Sequence, residues 1–429
     1  MGAFVFLERM DMGGVVVDES EARDRHFSGF LVSGSEQMDE LVRDVTSKVE
    51  AAMPRKRARR VVDQQMFEAQ VEALVCEAIY RELEASEQWV TIPRAKTKLG
   101  QESRYRAPVL RASIATVLDA LSGASVGLLE QRKGEPSAFA RGPQTTFRAS
   151  EALLAQAFRL GIGWDDFDRL EGEEVIVLKE AREDHWSDPE RLEYADTDET
   201  NRYREQVREI NGWLRSADIK MAGVSGQGVD LGNRYLKRYF NAGSFELGGR
   251  LFGGFWQGMT KAERKGLIID GEQAVELDFS QVGPRILYGM AATKMDRDAY
   301  AVPGYESNRD GIKKLFAAMI NTGAPLVRFP AKTRELFPRG AKVTSVCSAI
   351  LRHHPAIADH FHRQRGLAVM FQESQIMVSA LLRMKAAGTV ALPVHDAAIV
   401  AAGRVGEAKA IMLEEFQAHT GLDAAVSIA

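Results

Sequence analysis

Two short apolar segments each carry an aspartate at a position that suits phosphoryl-transfer chemistry. Residues 274–279 alternate between apolar and polar types, so a strand with a period of two would place Glu276 and Asp278 on one face. Residues 389–400 form a second apolar stretch, which His395 and Asp396 interrupt as a turn would. If the two strands are neighbours, Asp278 and Asp396 converge.

Two rigid carboxylates held close together repel each other unless a divalent cation neutralises them, and two-metal phosphoryl transfer uses such a pair. We therefore expect Asp278 and Asp396 to be catalytic ligands of Mg²⁺ or Mn²⁺. The alternative is that each aspartate only forms a turn or caps a strand end, which is a common use of this residue type. The residue types by themselves leave both interpretations open.

A pair of cations between these segments suits the same chemistry. Arg309 and Lys313 are four residues apart, so on a helix they share one face. A face with two positive charges can grip an anion whose charge develops in the transition state. We expect them to bind the phosphates of a nucleotide.

The surrounding sequence resembles the family A DNA polymerases and, more distantly, the palm of single-subunit RNA polymerases. DFSQVGPRIL, which begins at Asp278, is similar to motif A, and VHD, which ends at Asp396, is similar to motif C. The segment NRDGIKKLFAAMINTG, which begins at Asn308, resembles the R-x-x-x-K start of the fingers helix. GGRLFGGFWQ, which contains Arg250 and Gln257, resembles the G-R-L segment with its nearby glutamine. The resemblance covers residues 230–429.

This resemblance implies a role for each matched residue. It implies that a primer 3′-hydroxyl is extended with deoxynucleoside triphosphates on a DNA primer–template or an RNA/DNA hybrid, with two Mg²⁺ (or Mn²⁺) as cofactor. The residues it implicates are Asp278 and Asp396 as catalytic metal ligands, Arg309, Lys313, Gln281 and Gly283 at the nucleotide, and Arg250, Gln257, His395, Arg285 and Gln372 at the nucleic acid.

Three departures from the family pattern keep other functions open. Gly283 stands where the family has a glutamate that crowds the sugar 2′-position, so an RNA polymerase or primase that uses ribonucleotides is one alternative. Ala397 stands where the family has an acid after the motif C aspartate, and Asn321 where it has an aromatic residue. A second alternative is therefore a nucleic-acid-binding protein whose catalytic site has degenerated.

The expected fold class is α+β, a right-hand polymerase with an antiparallel palm sheet and helical fingers, preceded by a mostly helical, winged-helix-like region. The palm would be divided, with reduced fingers between its two parts. The expected divisions are a poorly ordered or basic segment at 1–60, a winged-helix-like nucleic-acid-binding domain at 61–180, an acidic linker and helix at 181–229, palm at 230–298, fingers at 299–366 and palm at 367–429.

The winged-helix expectation rests on an order of elements. Helical spacing at 109–121 is followed by a break, a basic hairpin and a helix at 150–160. In such modules a helix enters the major groove and the hairpin follows the backbone. The alternative is a small α/β domain whose basic residues are merely solvated. The basic residues concerned are Arg132, Lys133, Arg141 and Arg148 of the hairpin, and Arg94, Lys96, Lys98, Arg104, Arg106 and Arg111 of the preceding stretch.

Composition narrows the class of protein further. The chain has 429 residues, and 56 basic against 60 acidic residues give a net charge of −4, which argues against a protein that simply coats nucleic acid. Its 2 cysteines, Cys76 and Cys347, exclude a disulfide framework and a Cys-based zinc site, and they suit the reducing cytosol. We find no export signal and no apolar run long enough to span a bilayer, so we expect a cytoplasmic protein without membrane contacts.

Overall fold

The computed structural model of the protein describes residues 25–84, 88–134, 144–182, 189–222 and 229–428, so Arg141 and residues 1–24 lie outside it. The chain divides into two compact units. Among the described residues, the smaller unit takes those of Asp18–Glu174 and Gly226–Gly232, and the larger takes those of Val175–Ser225 and Asn233–Ala429. The boundary lies between Glu174 and Val175, a few residues before the expected boundary at residue 180. It lies there because strand Ile176–Leu178 pairs in parallel with Lys237–Asn241 and so belongs to the larger unit.

In the smaller unit, helices pack on a small sheet. The strand order of that sheet is β1-β3-β5-β4, and β2 pairs separately with β6. The helices are α1 (Glu36–Ala52), α2 (Val61–Glu84), α3 (Lys96–Leu99), α4 (Ile114–Ser122) and α5 (Glu151–Arg159). The strands are β1 (Arg25–His26), β2 (Leu31–Ser33), β3 (Val90–Ile92), β4 (Leu129–Arg132), β5 (Thr145–Ala149) and β6 (Phe167–Arg169).

Helix α1 lies inside the segment that was expected to be poorly ordered. The Ser35 hydroxyl accepts a hydrogen bond from the Met38 amide at 3.2 Å and so caps the helix. Met38, Leu41 and Val45 recur every three or four residues and are buried together. This amphipathic face packs on the core of the unit, and it explains why residues 36–52 are ordered.

The expected helix, break, hairpin and helix occur in this order in the smaller unit. The helix begins at Ile114 rather than at residue 109, the antiparallel hairpin consists of β4 and β5, and Ser150 caps α5. Strand β5 lies between β3 and β4 in the sheet, so the hairpin of β4 and β5 pairs with β3, the strand that precedes α3. The winged-helix assignment itself stays a prediction.

The larger unit is a mixed structure of helices and antiparallel sheet. Its helices are α6 (Asp198–Ser216), α7 (Lys261–Arg264), α8 (Val282–Met290), α9 (Arg309–Asn321), α10 (Val343–His353), α11 (Gly366–Ala386) and α12 (Val405–Thr420). Its strands are β7 (Ile176–Leu178), β8 (Ile219–Met221), β9 (Lys237–Asn241), β10 (Ser244–Phe252), β11 (Leu267–Ile269), β12 (Glu272–Phe279), β13 (Ala391–Val394), β14 (Ala397–Ala401) and β15 (Val426–Ile428).

The main sheet of this unit places the two motif aspartates next to each other. Its strand order is β13-β14-β12-β11-β8, with β15 paired to the end of β12, and neighbouring strands are antiparallel. A second sheet has the order β10-β9-β7. An antiparallel sheet was expected here; the assignment of a polymerase hand stays a prediction.

Helix α11 packs against β10, β13, α8 and α12 and carries much of the core. Its buried apolar residues recur at helical spacing, as at Val369, Ile376 and Ala380. In the described part of the chain we find no helix with the length and apolar character that a membrane crossing requires.

Candidate active site

Asp278 and Asp396 are carried by adjacent strands. Asp278, on β12, lies directly opposite Ala397 of β14, and Asp396 is the residue before Ala397. The Phe279 amide donates to the carbonyl oxygen of Asp396 at 3.4 Å. The strands are thus neighbours, which is the condition for the convergence expected from the sequence.

His395 and Asp396 form the two-residue turn between β13 and β14, whose flanking residues Val394 and Ala397 are paired. His395 has a φ of 56°, a region that favours glycine. A hairpin turn of this length needs a positive φ to match the twist of its strands. The backbone of a non-glycine residue, His395, is therefore strained at this turn, and such strain is concentrated at functional sites.

The two carboxylates lie in an electrostatic setting that disfavours their charge. Burial raises the pKa of Asp396 to about 7, the charges of Glu373 and Asp278 add to the rise, and Arg250 opposes it. Burial and the charge of Glu276 raise the pKa of Asp278, while Lys261 and Lys313 oppose that rise. Neither aspartate forms a salt bridge with another described residue. A bound cation would remove this cost.

A buried ion pair lies beside Asp396. Arg250 donates from Nε and Nη2 to the two carboxylate oxygens of Glu373 at 2.6 and 2.8 Å. The approach of the helix to the strand depends on Gly249, because a Cβ there would lie 2.6 Å from the hydroxyl of Ser374. Gly248 and Gly249 both have positive φ where β10 shifts its register, so the bulge brings Arg250 to face α11.

This geometry bears on the expected roles of Arg250 and Gln257. Arg250 is 6% exposed and Gln257 is 3% exposed. The Gln257 amide donates to the carbonyl oxygens of Leu251 and Pro393 and accepts from the Gly253 amide. Both side chains are buried and make hydrogen bonds within the protein, and their role at a nucleic acid stays a prediction.

Glu373 of α11 lies close enough to Asp396 to raise its pKa, and the neighbouring Gln372 contacts α12. Gln372 donates to the carbonyl oxygen of His419 at 3.2 Å, so it faces α12. Glu373 follows Val369 by four residues and precedes Ile376 by three, so it belongs to the buried stripe of the helix.

His395 and Arg285 are placed near the two strands in different ways. Burial lowers the pKa of His395 to about 3, helped by the charges of Arg250 and Arg264, so its ring is neutral at physiological pH. The ring meets Phe252 edge to face, with centroids 5.4 Å apart. Arg285 donates to the carbonyl oxygens of Ser280 and Asp423, at 3.1 and 2.8 Å, and so ties α8 to the segment before β15.

The two cations of α9 are placed differently with respect to the aspartates. Lys313 is exposed, and its charge acts on Asp278, so the two side chains are electrostatic neighbours. Lys313 forms no ion pair with another residue in the ranges that the structure describes. Arg309 pairs with Asp298 at 3.2 Å and lies over the ring of Tyr300, 5.2 Å from its centroid. The Arg309 pair is half exposed, so an anionic ligand can compete for it at little cost.

Gln281 and Gly283 lie at the start of α8. Gln281 has a φ of 58°, and its side-chain oxygen accepts from the Ala299 amide at 2.8 Å, so it holds the segment that leads to α9. Gly283 is open on the side where a side chain would project, since a Cβ there would meet nothing nearer than Val369 at 3.9 Å. Both residues follow the motif A aspartate, and their expected role at the nucleotide stays a prediction.

The donor set fits Mg²⁺ if substrate phosphates complete the coordination. Among the residues that the structure describes, no three His, Cys, Asp or Glu side chains are grouped as a metal site. Glu373 is paired with Arg250, and Glu276, which the sequence offered as a third carboxylate, is paired with Arg264 at 2.9 Å. Mg²⁺ commonly uses one or two carboxylates, water and substrate phosphates, so Asp278 and Asp396 are a sufficient protein contribution.

Sequence reasoning missed Lys261 and did not choose Glu373. Lys261 reaches the neighbourhood of Asp278 because β11 and β12 form a hairpin after α7, and no sequence pattern connects the two residues. Glu373 could have been found, because it is the acidic member of an otherwise apolar stripe.

Comparisons with known proteins give little at the level of sequence. No family model and no curated protein matches the chain. Among solved structures, the POL domain of Pol1 from M. smegmatis, in complex with DNA primer-template and dNTP, is similar over 93% of this chain, with 13% identity and a TM-score of 0.28. The chain spans 66% of the length of that protein. The function is therefore inferred from the residues of the site.

Proposed function

We propose that the protein is a template-directed nucleotidyltransferase that extends a primer 3′-hydroxyl with nucleoside triphosphates. The observation that carries this proposal is the pair of aspartates, Asp278 and Asp396, on adjacent strands, each with a pKa raised by burial and by neighbouring negative charge. A divalent cation bound between the carboxylates would offset the electrostatic cost of this pair.

The reaction is a displacement at phosphorus. The primer 3′-oxygen forms a bond to the α-phosphorus of the nucleotide, the bond from that phosphorus to the bridging oxygen breaks, and pyrophosphate leaves; the hydroxyl proton passes to solvent. Asp278 and Asp396 would hold Mg²⁺, which when bound would neutralise phosphate charge and lower the pKa of the attacking hydroxyl. The ammonium of Lys313 and the guanidinium of Arg309 orient the triphosphate and stabilise the charge that develops on its oxygens.

The remaining residues hold this arrangement in place. Glu373 and Arg250 brace β10 and α11 beside Asp396. Gln281 ties the turn after Asp278 to the segment that precedes α9. His395, which is neutral and packs against Phe252, is the residue that we propose contacts the primer terminus next to Asp396.

A primer-extension assay tests this function. A labelled primer–template is incubated with Mg²⁺ and either deoxynucleotides or ribonucleotides in separate reactions. The proposal predicts extension by the wild-type protein and none by the Asp278→Asn/Asp396→Asn variant. Absence of extension in every reaction by folded, wild-type protein would refute it.

Ribonucleotide use is the second candidate, and the open space at Gly283 favours it. Among the described residues, apart from its chain neighbours and the backbone of its own helix, Val369 at 3.9 Å is the nearest to a Cβ at this position, so a glutamate side chain has room here. Gly283→Glu tests this: the variant keeps its extension with deoxynucleotides and loses it with ribonucleotides. If both nucleotide pools support equal extension by the variant, Gly283 does not govern sugar choice.

A further inference from the structure

One segment of the smaller unit presents positive charge that the unit does not neutralise. Arg94 forms a salt bridge with Asp119 at 2.6 Å, and Arg104 forms one with Glu174 at 3.3 Å. Lys96, Lys98 and Arg111 are exposed and form no ion pair with a residue in the described ranges.

Asp119 connects this segment to the hairpin of β4 and β5. It accepts from both Nη atoms of Arg94, at 2.9 and 2.6 Å, and it pairs with Lys133 at 3.3 Å. Lys133 remains 65% exposed, and its neighbour Arg132 is exposed as well. Through Arg94 and Lys133, Asp119 therefore joins the segment to the hairpin. We call Lys96, Lys98, Arg111, Arg132 and Lys133 the basic surface.

The helix within this region presents small side chains to solvent. Helix α4 buries Ile114, Val117, Leu118 and Leu121, whereas Thr116 is exposed and Ala115 and Asp119 are half-buried. Short side chains let a helix approach a surface closely. The major groove of B-DNA is about 12 Å wide and admits a helix, whereas the major groove of an RNA duplex is too narrow.

The Trp89 ring, next to the hairpin, is already covered by arginine side chains. Arg132 lies over the ring of Trp89 at 3.9 Å from its centroid, and Arg148 lies 4.9 Å from the same centroid. Single-strand binding relies on aromatic rings that are free to stack on bases. A covered ring with flanking cations suits contact with phosphates along a duplex better than stacking on unpaired bases.

We propose that the basic surface binds the phosphate backbone of double-stranded DNA. This binding goes beyond the proposed nucleotidyl transfer and does not depend on it. The chain as a whole carries a net charge of −4, so attraction of a polyanion requires a local concentration of positive charge such as this one.

The test uses full-length protein and a fluorescent DNA dumbbell, a duplex closed at both ends that offers no primer terminus. Binding is measured by anisotropy over a series of salt concentrations. The variant is Lys96→Gln/Lys98→Gln/Arg111→Gln, and the matched control is Arg55→Gln/Lys56→Gln/Arg57→Gln, which removes equal charge from exposed positions of the same unit. Thermal melting checks that each variant is folded, and the single change Lys98→Glu serves if the triple variant is not.

Wild-type protein is expected to bind the dumbbell with an affinity that falls steeply with salt. Each phosphate contact contributes about 0.9 to the slope of log K against log salt, so the triple variant should lose about 2.7 from that slope, and at least tenfold in affinity, if all three cations make contacts. The control should bind within about twofold of wild type, a difference well below the loss of one such contact.

Three results would overturn the proposal: no binding of the dumbbell by wild type, equal losses in the variant and the control, or tighter binding to single-stranded DNA or a closed RNA duplex. An acidic protein as the partner would give the first of these results. Failure of the proposed nucleotidyl transfer would show itself separately, as intact dumbbell binding by a protein that extends no primer.

Discussion

Arg250 and Glu373 form a two-point ion pair, at 2.6 and 2.8 Å, that is almost fully buried next to Asp396. The pair joins β10 to α11, and both of its charges act on Asp396, in opposite directions. It therefore supports the site structurally while it also sets the electrostatic environment of one proposed metal ligand.

Loss of Glu373 should be costly. Glu373→Gln leaves the charge of Arg250 buried without a carboxylate, and breaking a buried pair in this way lowers the free energy of unfolding by about 3–5 kcal/mol. Gln372→Ala, one residue away, removes a single hydrogen bond to His419 and should cost about 1 kcal/mol. Urea denaturation measures the free energy of unfolding of both variants. Similar decreases in the two variants would show that the Arg250–Glu373 pair contributes no more to stability than the Gln372 hydrogen bond.

Asp396 should destabilise the metal-free protein as the pH rises. Its pKa is about 7 in the folded protein and about 3.9 when unfolded, so between these values the folded state binds more protons than the unfolded state. The free energy of unfolding of the wild type therefore falls as the pH rises through this window. Asp396→Asn, which cannot ionise, should become more stable than the wild type by a margin that grows from pH 5 to pH 8.

Thermal melting in EDTA at several pH values measures this margin. Asp310→Asn, at an exposed carboxylate on α9, is the matched control and should show no such growth. A margin for Asp396→Asn that stays constant with pH would contradict the raised pKa.

Mg²⁺ should stabilise the folded protein through the aspartate pair. A ligand that binds only the folded state adds about 2.7 kcal/mol to the free energy of unfolding at 100 times its dissociation constant. Addition of Mg²⁺ at pH 8 in the presence of a nucleoside triphosphate should raise the melting temperature of the wild type above that with the nucleotide alone, and Asp278→Asn should abolish the rise. Equal stabilisation of both proteins would place the metal elsewhere.

Lys313 should contribute to the transition state. Its ammonium lies near Asp278, where the triphosphate would bind, and loss of one such group typically reduces kcat by about 10²–10³. Steady-state kinetics of Lys313→Ala should show this reduction. Lys314→Ala, on the next position of α9, changes the same charge on a different face and should stay within about threefold of wild type, the range expected of a surface change.

The pairing of the strands that carry Asp278 and Asp396 could be anticipated because each lies in a short apolar segment with its own turn signal. The positions of the site residues that depend on long-range packing could not be predicted from the sequence. Arginine and glutamine are residue types that often contact nucleic acids, which is why Arg250 and Gln257 were assigned there. Their burial follows from the bulge at Gly248 and Gly249 and from the packing of α11, which the sequence does not reveal. Gln372 and Glu373 lie on different sides of α11. The spacing of the buried apolar residues predicts that Glu373 is the one on the buried side.

The fold of the smaller unit was less accessible. Helix α1 was missed because its apolar positions are sparse among charged residues, although the Ser35 cap and the spacing of Met38 and Leu41 were visible in the sequence. The division between the units depends on the pairing of β7 with β9, a contact between distant segments that no local pattern reveals.

The most direct test of the central claim is the rate of single-nucleotide incorporation on a primer–template with Mg²⁺, measured for the wild type, Asp278→Asn and Asp396→Asn. Glu272→Gln, an exposed carboxylate on the same strand as Asp278, is the matched control. The account predicts incorporation by the wild type and the control, and a loss of at least about 10³-fold in each aspartate variant, as for groups that act only in the transition state. Undiminished incorporation by either folded aspartate variant, or none by the wild type, would contradict it.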